Sequence, residues 1–76
     1  MDLDSRNRLA MRIQLNGRNH DVGEPASLAS LVERLGLDVR KVAVECNLEI
    51  VPRSAYGATM LREGDRLEIV NFVGGG

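Results

Sequence analysis

The chain has 76 residues, with ten Lys+Arg against eleven Asp+Glu for a formal charge of -1. It therefore holds one domain around one modest core and lacks the basic excess of a nucleic-acid binder. A 43% apolar and 28% charged composition excludes disorder throughout, and the lone cysteine, Cys46, excludes an internal disulfide.

Residues 1–10 set charged and polar groups around Leu3 with no helix or strand period, and read as a flexible N-terminal extension. From Met11 the pattern becomes regular. Met11, Ile13 and Leu15 alternate with Arg12, Gln14 and Asn16, the period of a half-buried strand. Asn16-Gly17 then predicts a tight hairpin turn, with a weaker return strand over Arg18 to Val22. Gly23, Glu24 and Pro25 end it.

Ser27 is placed to cap a helix, and Leu28, Leu31, Val32 and Leu35 make one apolar stripe at helical spacing. Gly36 suits the left-handed residue that ends such a helix. At about ten residues the helix is too short to stand alone, so it lies on a sheet. Asp38, Val39 and Arg40 read as connecting loop. Val42 to Cys46 reads as a third strand, Asn47 as a turn, and Leu48 to Val51 as a short run that Pro52 confines to a sheet edge. Ser54 to Met60 is irregular, with room for one 3-10 turn near Tyr56. Gly64-Asp65 is a turn, and Arg66 to Val70 alternates again. The order is β-β-α-β-β in an α+β arrangement, one helix across a mixed sheet.

Intrinsic catalysis has little to work with. His20 is the only histidine and reads as a surface strand residue. Cys46 reads as a small buried-type residue with no neighbour that marks an activated thiol. The two together make no metal site of the usual ligand set. The acidic residues are scattered, most beside an arginine, and read as a solvated surface. The chain is also too small to wall a pocket of the usual ~300–1,000 Å³.

The end of the chain remains. The last strand runs through Asn71, Phe72 and Val73 into Gly74-Gly75-Gly76. A glycine run by itself marks a linker or a frayed end. Lacking Cβ atoms, it also threads a narrow channel and presents its carboxylate to a partner's active site. That is the layout of a carrier or modifier protein, a domain of 11–73 bearing a flexible tail of 74–76.

Taken in order, several segments resemble the ThiS-type sulfur-carrier family of thiamine biosynthesis, whose fold is the ubiquitin-like β-grasp. These are Met11-Arg12-Ile13-Gln14-Leu15-Asn16-Gly17, the helix Ser27 to Val32, Asn47 to Ser54 with its Val-Pro-Arg stretch, Gly64 to Val70, and Val73-Gly74-Gly75-Gly76. Tyr56 stands where that family often has Trp, Leu48 replaces a commonly small turn residue, and residues 1–10 are unmatched. The resemblance implies that the protein is a reactant and not an enzyme. An ATP-using, ThiF-type adenylating enzyme would activate the Gly76 carboxylate. Sulfur from a persulfide donor such as a cysteine desulfurase would displace AMP to leave a thiocarboxylate. Thiazole synthase of the ThiG type would then take the sulfur for the thiazole ring. Gly74 and Gly75 would line the passage, with Val73 and Phe72 as apolar anchor. Arg53, Arg62 and Arg66 are candidates for a polar rim. The expectation is a cytoplasmic monomer that holds no cofactor or metal and meets neither nucleic acid nor membrane.

Three other readings stay open. The small subunit of molybdopterin synthase shares the fold and a diglycine end, but its approach to the tail is bulkier and carries proline. A ubiquitin-like protein modifier would bring an arginine-rich lead-in that is absent here. The third is a plain interaction module with a disordered tail. A small thiol protein working through Cys46 ranks below these.

Overall fold

The computed structural model describes residues 11–23 and 26–72; the extension 1–10, the Glu24-Pro25 break and the tail 73–76 lie outside the described residues. Strands β1 (Met11–Leu15) and β2 (Arg18–Val22) form the opening hairpin, helix α1 (Leu28–Arg34) follows, and β3 (Val42–Cys46), β4 (Glu49–Val51) and β5 (Arg66–Asn71) complete the chain. With the short β4 at the sheet edge, where the Leu48 to Val51 run was expected, the sheet has five strands and the β-β-α-β-β order counts four. The sheet runs β2-β1-β5-β3-β4. At its centre β5 lies parallel to β1 and antiparallel to β3, so the last strand is inserted between the first and the third.

The turn residues do more than reverse the chain. Asn16 (φ 52) and Gly17 (φ 83) both adopt positive φ, as a type I′ hairpin requires. The Asn16 carboxamide also reaches across to β5, accepting the Ile69 N–H on Oδ1 at 2.8 Å and donating from Nδ2 to the Ile69 carbonyl at 3.3 Å. It thereby extends the β1–β5 ladder beyond the end of β1. Asn47 (φ 53) plays a similar part at the β3–β4 turn. Its Oδ1 accepts the Arg66 N–H at 3.0 Å, and its Nδ2 donates to Asp65 at 3.1 Å.

The helix is shorter than its stripe suggests. Ser27 caps it by accepting the Ser30 N–H at 3.1 Å, and Leu35 is already the cap at the far end. Beyond it, Gly36 (φ 79) donates to the Glu33 carbonyl and Leu37 to that of Val32. This pair of bonds closes the helix in a Schellman motif. Asp38 to Arg40, read above as loop, is instead the start of a 3-10 turn, Val39–Lys41, capped by the Asp38 carboxylate. Its backbone bonds need a local partner before β3 begins, and the Asp38 side chain supplies one.

Leu28, Leu31 and Val32 of α1 are buried against Ile13, Val22, Val42, Val44, Leu67 and Ile69 from one face of the sheet. The core is aliphatic with one exception. Tyr56 is also buried, and its hydroxyl donates to the Val42 carbonyl at a long 3.4 Å. The irregular stretch around it, which includes a 3-10 turn at Arg53–Ala55, is tied to the helix start. Leu28 donates to the Thr59 carbonyl and Ala29 to that of Tyr56.

Candidate functional site

Strand β5 positions the start of the tail. Its inward residues Leu67 and Ile69 are buried, Asn71 ends the strand opposite Val42, and Phe72 follows immediately. Phe72 is 51% exposed, so it lies outside the core and is free to contact another molecule. Its backbone is nevertheless fixed, because the Phe72 N–H donates to the Lys41 carbonyl at 2.7 Å. The rest of the expected site, Val73, Gly74, Gly75 and Gly76, lies outside the described residues.

The acceptor belongs to the 3-10 turn, which is braced from two sides. The Asp38 carboxylate accepts the Arg40 N–H at 2.9 Å and the Arg40 guanidinium at 3.1 and 3.0 Å. Those two contributions, the guanidinium first and the backbone second, hold the Asp38 carboxyl at about 2, below its ordinary 3.8. From the other side, Arg53 donates from Nε to the Val39 carbonyl at 3.2 Å and from Nη2 to the Arg40 carbonyl at 3.0 Å. Three consecutive carbonyls thus accept from Arg53, Arg53 and Phe72. From sequence Arg53 reads as a solvated arginine, with a polar rim as its candidate role. Its guanidinium binds the turn that also accepts the Phe72 N–H, just ahead of the tail. The signal was the long flexible donor two residues after β4, but its target is thirteen residues upstream and no local pattern marks it.

The other candidates do not join this site. The Arg62 backbone N–H bonds to Asp65 at 2.8 Å, and the Arg62 and Arg66 side chains are exposed. His20 is half-buried in edge strand β2 opposite Ile13. Cys46 is half-buried at the end of β3; partial burial first, then the carboxylates of Asp65 and Glu49, push its thiol above the ordinary value. That is the opposite of activation. Among the described residues most acidic groups lack the arginine partners expected of them. Among the described residues the ion pairs are Arg12–Asp21 and Arg40–Asp38, while Glu63 accepts the backbone N–H of Arg12.

A five-stranded mixed sheet with one helix on one face, and a last strand that hands its end to a glycine tail, defines a ubiquitin-like β-grasp domain. Residues 11–76 match the ThiS family, and the chain belongs to that family. The crystal structure of the thiamine biosynthesis protein ThiS from Geobacter metallireducens superposes with a TM-score of 0.74 at 33% identity, covering 87% of this chain and 100% of that one. The sulfur carrier protein ThiS of Bacillus subtilis is 37% identical over 84% of this chain and 98% of its own length. A thiazole synthase of Paramagnetospirillum magneticum is 47% identical over 87% of this chain but only 20% of its own length. This chain therefore spans about a fifth of the thiazole synthases it matches. No helix among the described residues is long and apolar enough to cross a membrane.

Proposed function

We propose that this protein is a sulfur carrier whose Gly76 carboxylate is the reacting group. The carboxylate attacks the α-phosphate of ATP in an adenylating enzyme of the ThiF type, releasing pyrophosphate and leaving an acyl-adenylate. The terminal sulfur of a protein persulfide, such as that of a cysteine desulfurase, then attacks the acyl carbon and AMP departs. A thiol cleaves the remaining S–S bond, leaving the Gly76 thiocarboxylate and a disulfide. Thiazole synthase takes the sulfur during thiamine biosynthesis, and the carboxylate returns. The protein is a co-substrate throughout; ATP is bound by the partner.

The observation that carries this reading is the family match, which runs to the last glycine on a domain whose last strand is held at its exit by Lys41. Gly74 and Gly75, lacking side chains, fit a channel too narrow for any other residue. Phe72 and Val73 supply apolar contact where the tail enters.

Intact mass spectrometry after incubation with ATP, an adenylating enzyme and a persulfide donor tests it. Replacement of one oxygen by sulfur at Gly76 is the expected result, and deletion of Gly75-Gly76 abolishes it. Attachment of the tail to a lysine of another protein would instead identify a modifier. An unchanged mass under all conditions rejects the carrier reading.

A further inference from the structure

Asparagine is a thermally labile residue, because the backbone nitrogen of the residue after it can attack the side-chain amide carbon. The five asparagines are Asn7, Asn16, Asn19, Asn47 and Asn71, and Asn16 alone precedes a glycine. In the other four the attacking nitrogen belongs to Arg8, His20, Leu48 or Phe72, each with a side chain that crowds it. Gly17 has none. Asn16 and Gly17 are both exposed, and nothing lies within 4 Å of where a Cβ on Gly17 would stand. Among the described residues the Gly17 N–H donates to no carbonyl. A free nucleophile and water are both at hand.

The fold withholds the electrophile. Three bonds tie Asn16 to β5. Its N–H donates to the Leu67 carbonyl at 2.8 Å, its Oδ1 accepts the Ile69 N–H at 2.8 Å, and its Nδ2 donates to the Ile69 carbonyl at 3.3 Å. Both polar atoms of the carboxamide are thus committed to the neighbouring strand. Its carbon meets the Gly17 nitrogen only when those bonds part. Leu67 and Ile69 are buried in the core, so β5 stays in place and the end of β1 must leave it, a local opening of the sheet.

We propose that Asn16 is a self-modification site, a deamidating asparagine whose reaction is gated by its bonds to Ile69. On opening, the Gly17 nitrogen bonds to the Asn16 side-chain carbon and gives up its proton. Nδ2 takes that proton and leaves as ammonia, closing a five-membered succinimide. Water then cleaves one of the two acyl C–N bonds of the ring, yielding aspartate or isoaspartate at position 16. Neither product restores the clasp. An aspartate carboxylate still accepts from the Ile69 N–H, but it has no hydrogen for the Ile69 carbonyl and sets oxygen against oxygen there. Isoaspartate adds a methylene to the main chain of a two-residue turn and disturbs the register that the turn fixes. The inference stands apart from the carrier reading and concerns how long the junction of β1 with the central strand survives.

Peptide mapping by mass spectrometry, with the full chain held warm at mildly alkaline pH, tests it. In guanidinium Asn16 acquires the mass change of amide to acid ahead of the other four asparagines, and enzymatic methylation detects the isoaspartate share. In the folded chain the conversion is slower by about tenfold or more. Gly17→Ala slows the conversion of the unfolded chain by about tenfold, since a Cβ now crowds the nitrogen. The converted forms, separated from the parent by their added negative charge, melt at a lower temperature, and Asn16→Asp reproduces the aspartate form. Equal rates in folded and unfolded chains overturn the gate. Faster conversion in the folded chain does so too, and would make the Ile69 N–H an activator of the side-chain carbonyl. Earlier conversion of another asparagine, or an unchanged melting temperature after conversion, overturns the assignment of the site.

Discussion

The Phe72 N–H and the Lys41 carbonyl, 2.7 Å apart, join the root of the tail to a turn that Arg53 holds from the other side. The tail's departure point is thus set by a residue remote from it in sequence. Arg53→Ala frees the Val39 and Arg40 carbonyls to water and is expected to lower stability by about 1–2 kcal/mol. The diagnostic readout is amide exchange. Phe72 exchanges faster in Arg53→Ala by more than the global loss explains, while Val44 follows the global loss. Arg53→Lys restores part of the effect, because an ammonium lacks the planar fork that reaches two carbonyls. Phe72 protection that simply tracks global stability would show that the brace does not reach the tail.

Asn16 has two jobs that substitution can separate. Asn16→Ala removes both side-chain bonds to Ile69 and leaves a Cβ-bearing residue without polar help at φ 52. The expected loss is about 2–3 kcal/mol, from the hydrogen bonds and the left-handed backbone together. Asn16→Gly keeps the turn conformation and loses only the bonds, so it costs about 1 kcal/mol less. Urea denaturation of the two variants measures the difference; equal losses would mean that backbone conformation contributes nothing.

Leu48 is a bulky residue at φ 72, in the second position of a turn that glycine suits best. Leu48→Gly relieves that conformation and is expected to raise stability by about 1 kcal/mol, less the greater entropy of an unfolded glycine. A lower melting temperature in this variant contradicts that assignment.

Asp38 provides a pH signature. Its carboxyl is held at about 2 against an ordinary 3.8, so the folded state favours the ionised form. The contribution is fully present above the ordinary value and is lost as pH falls from 3.8 towards 2. Asn is also a good cap, so Asp38→Asn removes the charge and keeps much of the turn. The gap in thermal midpoint between parent and variant is expected to be constant from neutral pH to about 4 and to close below that. A gap that persists at pH 2 would place its origin in packing.

Cys46 is expected to be a slow nucleophile, since partial burial and two nearby carboxylates raise its thiol. Iodoacetamide at neutral pH should modify it more slowly than a simple free thiol, and Cys46→Ala should form the thiocarboxylate at the parent rate. Loss of activity in that variant would revive the thiol-protein reading.

Local chemistry made most of the scaffold legible from sequence. The Asn16-Gly17 turn, the Ser27 cap, the stripe from Leu28 to Val32 and the alternation of β5 each encode their structure within a few residues. The parts that escaped are non-local. Asn16 and Asn47 are recognisable as turn residues, but their bonds to Ile69 and Arg66 depend on which strands become neighbours. Arg53 looks like a solvated arginine until the fold brings Val39 and Arg40 within its reach. Tyr56 sits in a stretch without periodicity, and only the packing of that stretch against the start of α1 buries it. At the candidate site the glycines were conspicuous as composition, whereas the neighbours of β5 arise from its pairing with β1 and β3, which no local pattern marks.

The described chain ends at the middle of the sheet, because β5 is bonded to β1 on one side and β3 on the other. A partner that grips the glycines and draws on them pulls along the axis of that strand. The load is then shared in shear by two ladders at once, and no edge is available to be peeled away bond by bond. The domain can be tugged by its C-terminal end without unravelling.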